Sequence, residues 1–132
     1  MPVVKARIGT DPYRMEIRSV SGNLVIADEP LEKGGKDTGF SPKELLAAAL
    51  SACTGATLRM YVGQKGWDVP WIEVETDMVE MEGAVDFKRR ISIDVPLTDR
   101  QLKVLANVAN ACPVHKILAG KTEFHTELTK AG

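Results

Sequence analysis

The chain has 132 residues, 17 Lys+Arg against 18 Asp+Glu for a net charge of −1, and a hydrophobic share of 44%. That length and apolar share suit one globular domain over residues 1–132 with a core of its own, and they exclude a disordered polyelectrolyte. The balanced charge offers no general attraction for nucleic acid or for an anionic membrane surface, so neither is expected as a partner.

In chain order, residues 2–8 read as a strand through Val3, Val4 and Ile8. They contain no long apolar stretch followed by a small-residue cleavage site, so no signal peptide is expected and a cytoplasmic setting is the default. Residues 12–19 alternate Tyr13, Met15 and Ile17 against Arg14, Glu16 and Arg18, as a strand with one wet face does. Ser21-Gly22-Asn23 is turn chemistry, and residues 24–27 resume a strand, which predicts a meander.

Residues 28–40 form a glycine-rich polar loop. Its Gly34-Gly35 pair lacks the strand–GxGxxG–helix setting of a nucleotide site, leaving a flexible connection or a lid over a pocket. Ser41, Pro42 and Glu44 then supply an N-cap, a first helical residue and the third-position carboxylate of a capping box. The helix they open should run to about Gln64 and stop at Gly66. Ala48, Ala52 and Ala56 recur along it at four-residue spacing, which permits close backbone approach to another helix or to the same helix of a second copy. Its longest strictly apolar run, residues 45–50, is far below the roughly 20 residues a membrane span needs.

Two strands are predicted at about 71–80 and 86–95, joined through Glu82-Gly83, and the basic run Lys88-Arg89-Arg90 near the start of the second is read as a solvated turn. Thr98 opens another helix with Leu102, Leu105, Val108 and Ala109 on one face. Cys112-Pro113 ends it and starts a third helix through Leu118, and residues 123–128 alternate as a last strand. Strands, long helix, strands, helices, strand is an α+β order rather than an alternating parallel sheet.

The chemistry concentrates on Cys53 and Cys112, the only cysteines. Cys112 precedes Pro113 at a helix start, where unpaired amides and the helix dipole favour a thiolate. Cys53 lies inside a helix and has no such local help. It needs a nearby cation or hydrogen bond to ionise, and otherwise is an inert core thiol. In a reducing compartment a disulfide between them would be transient. Cys112-x-x-His115 with Cys53 and His125 counts four zinc-type ligands, but a second close ligand pair is missing, so no metal is expected. No other cofactor motif is present, and neither are the spacings of Ser-His-Asp, HExxH or P-loop sites.

The run from Ser41-Pro42 through Ala52-Cys53-Thr54, followed by Leu58-Arg59-Met60-Tyr61, Lys65-Gly66-Trp67 and Cys112-Pro113-Val114-His115, resembles the osmotically inducible protein C and organic hydroperoxide resistance (OsmC/Ohr) family. The element order matches along nearly the whole chain, on the side of a less characterised OsmC-like branch. The resemblance implies an intertwined homodimer with its long helices packed centrally between sheets. It also implies thiol-dependent reduction of small organic hydroperoxides, with an external dithiol as reductant. By position Cys53 is similar to the attacking cysteine and Cys112 to the resolving one.

Departures from that pattern fall on the activating groups. Lys43 stands where the peroxidase branch has a glutamate, so Glu44 is the nearest carboxylate. The N-terminal Gly-Arg-Asp-Gly turn is replaced by Asp11-Pro12-Tyr13-Arg14, which makes Arg14 a candidate activating cation, with Arg7, Arg18 and Arg59 as rivals. Glu44 and Cys53 are about 13–14 Å apart along a helix and about half a turn out of phase. Glu44 would therefore serve Cys53 only from a partner chain or through a bend. Two further functions compete with the peroxidase: a non-catalytic dimeric module for a small apolar ligand, and a redox sensor built on the cysteine pair.

Overall fold

The computed structural model describes residues 2–130; Met1 and residues 131–132, the ends of the domain expected over 1–132, lie outside the described residues. Contacts divide the chain into two compact units, residues 1–49 with 76–88 and residues 50–75 with 89–132.

In the first unit β1 (Val4–Ile8), β2 (Met15–Ser19) and β3 (Leu24–Ala27) form an antiparallel sheet in that order. Ala6 faces Ile17 across one pair and Ile17 faces Val25 across the other. This is the predicted meander, with Gly22 at φ 93° in its second turn. The glycine-rich loop that follows is a tied structure rather than a loose connection. Asp28, 1% exposed, accepts the amides of Tyr13, Glu29, Lys36 and Thr38 and, at 2.7 Å, the Thr38 hydroxyl. Those bonds favour the carboxylate and hold its pKa at about 2, against a usual 3.8. Gly35 has a steric role: a Cβ there would overlap the Glu29 carbonyl.

Helix α1 (Pro42–Lys65) begins as predicted. The Ser41 amide donates to Glu44 Oε1 at 2.8 Å and the Glu44 amide to Ser41 Oγ at 3.1 Å, completing the capping box. Gly66, at φ 69°, ends the helix. By length and composition its 24 residues are apolar enough to cross a membrane, which the short strictly apolar run had not suggested. The difference arises because its charged residues gather toward the two ends. Leu50, Thr54, Leu58 and Val62, however, form a buried stripe such as the core helix of a globular unit presents.

The second unit holds the larger core. Leu58 and Val62 of α1 pack with Val69 and with Leu105 and Ala109 of α2 (Asp99–Asn110). Trp67 meets Tyr61 edge to face at 5.8 Å on its margin. Each fully buried aliphatic side chain there contributes about 1.5–3 kcal/mol. Arg59 donates to the Val69 carbonyl at 2.7 Å and ties the loop after α1 to the helix. Helix α2 starts at Thr98 with its own capping box to Gln101, and α3 (Pro113–Ala119) follows after Cys112.

Strands β4 (Ile72–Met81) and β5 (Ala84–Ile93) pair as a hairpin turning at Gly83. Two expectations are corrected. Lys88-Arg89-Arg90 is no turn but the middle of β5, because the strand starts at Ala84 and its alternation continues through the basic run. Residues 121–130 contain no strand; Phe124 and Leu128 are 87% and 97% exposed. Alternation alone does not make a strand, which exists only when its amides and carbonyls find a partner.

Candidate thiol site

Both candidate cysteines fall in the second unit and meet at the start of α3. Cys112 is fully buried and caps that helix, its Sγ accepting the His115 amide at 3.3 Å, with Pro113 as the first helical residue. Cys53 arrives from α1 and is half-buried, and its Sγ accepts the Val114 amide at 3.5 Å. The first turn of α3 thus serves two sulfurs. Tertiary packing supplies Cys53 with a donor that its own helix could not.

The two thiols are free, and their sulfurs are bound by neighbouring amides of the α3 start. Burial pushes the Cys112 thiol up. The His115 amide, the Thr54 hydroxyl, the Cys53 thiol and the Arg89 charge outweigh it, and the net shift is downward from the usual 9.0. These surroundings therefore favour negative charge on Cys112 relative to a free cysteine.

Arg89 is the residue that sequence reasoning missed. Its Nη1 donates to Thr54 Oγ1 at 3.0 Å and to the Ala109 carbonyl at 3.1 Å. Its Nη2 reaches Asn110 Oδ1 at 3.1 Å and His115 Nδ1 at 2.6 Å. A guanidinium has only donors, so His115 Nδ1 accepts and the ring in this geometry carries its proton on Nε2. Arg89 shares a strand face with Phe87, Ile91 and Ile93, all partly buried, while Lys88 and Arg90 face solvent. The period-two pattern was readable in the strand expected over 86–95, had the basic run been taken as part of it.

Thr54 links the guanidinium to the thiol. Its hydroxyl lies 2.7 Å from the Leu50 carbonyl and 3.7 Å from Cys112 Sγ while it accepts from Arg89. One hydroxyl proton has two acceptors to choose from. The shorter contact is the one to the Leu50 carbonyl.

The remaining candidates sit elsewhere. Glu44 is occupied in the capping box of α1. Lys43 forms an ion pair with Glu80 at 2.6 Å, which raises the lysine pKa and lowers that of the glutamate. Arg14 lies 3.6 Å from Glu16, Arg18 pairs with the same carboxylate at 2.9 Å, and Arg59 is bound to the Val69 carbonyl. His125 is in the exposed C-terminal segment. Leu50 and Leu58 are core residues 2% and 0% exposed, whereas Met60 is open to solvent. An apolar groove of about 590 Å³ runs between Ile91, Ile93, Val95 and Leu97 on one side and Leu102 and Leu105 on the other; neither cysteine lines it.

Comparison with known proteins agrees with this architecture. A protein from Psychrobacter arcticus described under osmotic stress induction and detoxification response superposes with a TM-score of 0.78 at 26% identity, over 89% of this chain and 88% of that one. An OsmC-like protein from Mycoplasma pneumoniae gives 0.70 at 20% identity, covering 91% and 88%. The organic hydroperoxide resistance protein OhrB of Bacillus subtilis gives 0.64 at 23%, covering 91% of each chain. No curated protein sequence matches. The sequence profile of OsmC-like proteins matches residues 34–127, a stretch that takes in Cys53, Arg89, Cys112 and His115 together, and this chain belongs to the OsmC-like family.

Proposed function

We propose that the protein is a thiol-dependent peroxidase that reduces small organic hydroperoxides through Cys53 and Cys112. The observation that carries this reading is the pair of free sulfurs held by successive amides of the α3 start. Cys53, the more accessible sulfur, attacks the peroxide oxygen. An S–O bond forms, the O–O bond breaks, and the alkoxide leaves as an alcohol after taking a proton. The Cys112 sulfur then attacks the sulfenic acid; an S–S bond forms and the hydroxyl leaves as water. An external dithiol restores both thiols by exchange.

The names of the structural relatives, two of which concern detoxification and organic hydroperoxide resistance, support this substrate class. The working form in this reading is a homodimer of one OsmC-like domain in the cytoplasm, where the thiols would rest reduced. The small-residue stripe of α1 and the exposed Phe124 and Leu128 support a second copy.

Titration of the reduced protein with cumene hydroperoxide tests the cycle by counting thiols lost and peroxide consumed per chain. With a dithiol present, turnover beyond one equivalent is expected. Cys53→Ser should abolish consumption, and in Cys112→Ser any Cys53 that reacts should stop at the sulfenic acid. Full consumption by Cys53→Ser would overturn the assignment. Loss of both thiols without cycling would mark a redox sensor instead.

A further inference from the structure

The site contains a cation, but it is fitted to the resolving cysteine rather than to the attacking one. Cys112 lies between two helix ends of opposite polarity, the carbonyl end of α2 and the amide end of α3. The first would repel negative charge on the sulfur and the second attract it. Arg89 covers the unfavourable end by binding the Ala109 carbonyl and the Asn110 side chain. It reaches the sulfur side through Thr54, and its bond to His115 fixes the residue whose amide donates to Cys112.

Among the described residues no carboxylate pairs with Arg89, whereas Arg90, the next residue, is bound through Nε and Nη2 to Glu75. All four bonds of Arg89 go to neutral acceptors, so its positive charge is left for the thiol pair. The ionisable or charged groups facing Cys112 are Cys53 from α1, Arg89 from β5 and His115 from α3 itself.

Resting on the peroxidase reading, we propose that Arg89 is the positioning residue of this pair. It clamps Thr54, His115 and the end of α2 around the Cys112 sulfur and stabilises negative charge there, so that Cys112 is the base that takes the proton of Cys53. The reactive form in this proposal carries one proton, on Cys53, and one negative charge, on Cys112. When Cys53 attacks, its S–O bond forms, the peroxide O–O bond breaks, and its proton passes to Cys112. The departing alkoxide takes a proton from water and leaves hydroxide. That hydroxide removes the proton from Cys112, whose restored thiolate attacks the Cys53 sulfur. The S–S bond forms and the S–O bond breaks, releasing hydroxide. Arg89 thus acts in both halves of the cycle without touching substrate.

The test is the ultraviolet thiolate titration of Cys112 in the full chain carrying Cys53→Ser, with and without Arg89→Gln. The glutamine is expected to move the midpoint to higher pH, and each whole pH step upward lowers the thiolate fraction at neutral pH about tenfold. Arg89→Lys, which keeps the charge but loses the planar fork, should fall between the two. With Cys53 present, Arg89→Gln should prolong the dimedone-trappable sulfenic acid in a single turnover with cumene hydroperoxide. An unchanged midpoint in a folded Arg89→Gln protein would overturn the proposal. If that variant does not fold, Thr54→Val, which deletes only the hydroxyl between guanidinium and sulfur, should move the midpoint the same way, and its failure to do so would equally overturn it. The titration needs no peroxide, so a protein that consumed none would refute the peroxidase reading and leave the answer on Arg89 standing.

Discussion

Arg89 and Arg90 are the same residue type in adjacent positions, yet their environments separate their effects. Arg90 makes an exposed pair with Glu75, the two side chains 69% and 63% open, and such pairs contribute about 0–1 kcal/mol. Arg90→Gln is therefore expected to shift urea unfolding by about 0.5 kcal/mol or less and to leave the Cys112 titration unmoved. A large effect on either measurement would mean that the basic run acts as a unit. The candidate residues were unevenly legible in sequence. Cys112-Pro113 announced a helix start, and the capping role of Glu44 followed from its spacing to Ser41. Arg89 was hidden because a basic run reads as solvent-facing, and only the alternation of β5 reveals that one of its three residues turns inward.

At the scale of elements, the loop from Asp28 to Phe40 depends on one carboxylate and on two missing side chains, at Gly35 and Gly39. Asp28 is held at about 2, below its usual 3.8, so its stabilisation is complete above the unfolded value and disappears as pH falls through the folded one. Acid unfolding followed by circular dichroism should show this component between about pH 4 and pH 2. Asp28→Asn should remove it while lowering stability at neutral pH. Gly35→Ala would place a methyl group on the Glu29 carbonyl, and it should destabilise the protein by about 1–3 kcal/mol in urea unfolding, through overpacking. The strands, helices and caps were largely legible in the sequence, since they follow from periodicity and from local hydrogen bonding. The order within this loop was not, because it rests on a side chain binding amides up to fifteen residues away.

For the whole molecule, the final segment is the main discrepancy between pattern and structure. Residues 123–128 carry the alternation of a strand, but strand formation requires a partner that no described part of this chain provides. In the dimer reading a second copy is that partner, a reading motivated by the exposed Phe124 and Leu128 and the small-residue stripe of α1. Light scattering is expected to give twice the 14.4 kDa chain mass. Removal of residues 122–132 should weaken that association. A monomer at all concentrations would refute the dimer and with it any role for Glu44 of one chain at Cys53 of another.

The inward turn of Arg89 makes the phase of the β4–β5 hairpin a chemical quantity. A frame slip of one residue in β5 would exchange the faces of the strand and bring Lys88 or Arg90 to the thiols. The charge would survive either slip, because the basic run is three residues long. The fork would survive only one of them. Three consecutive basic residues on an alternating strand thus act as insurance for the sign of the field at Cys112, while the hydrogen-bond pattern stays tied to a single register.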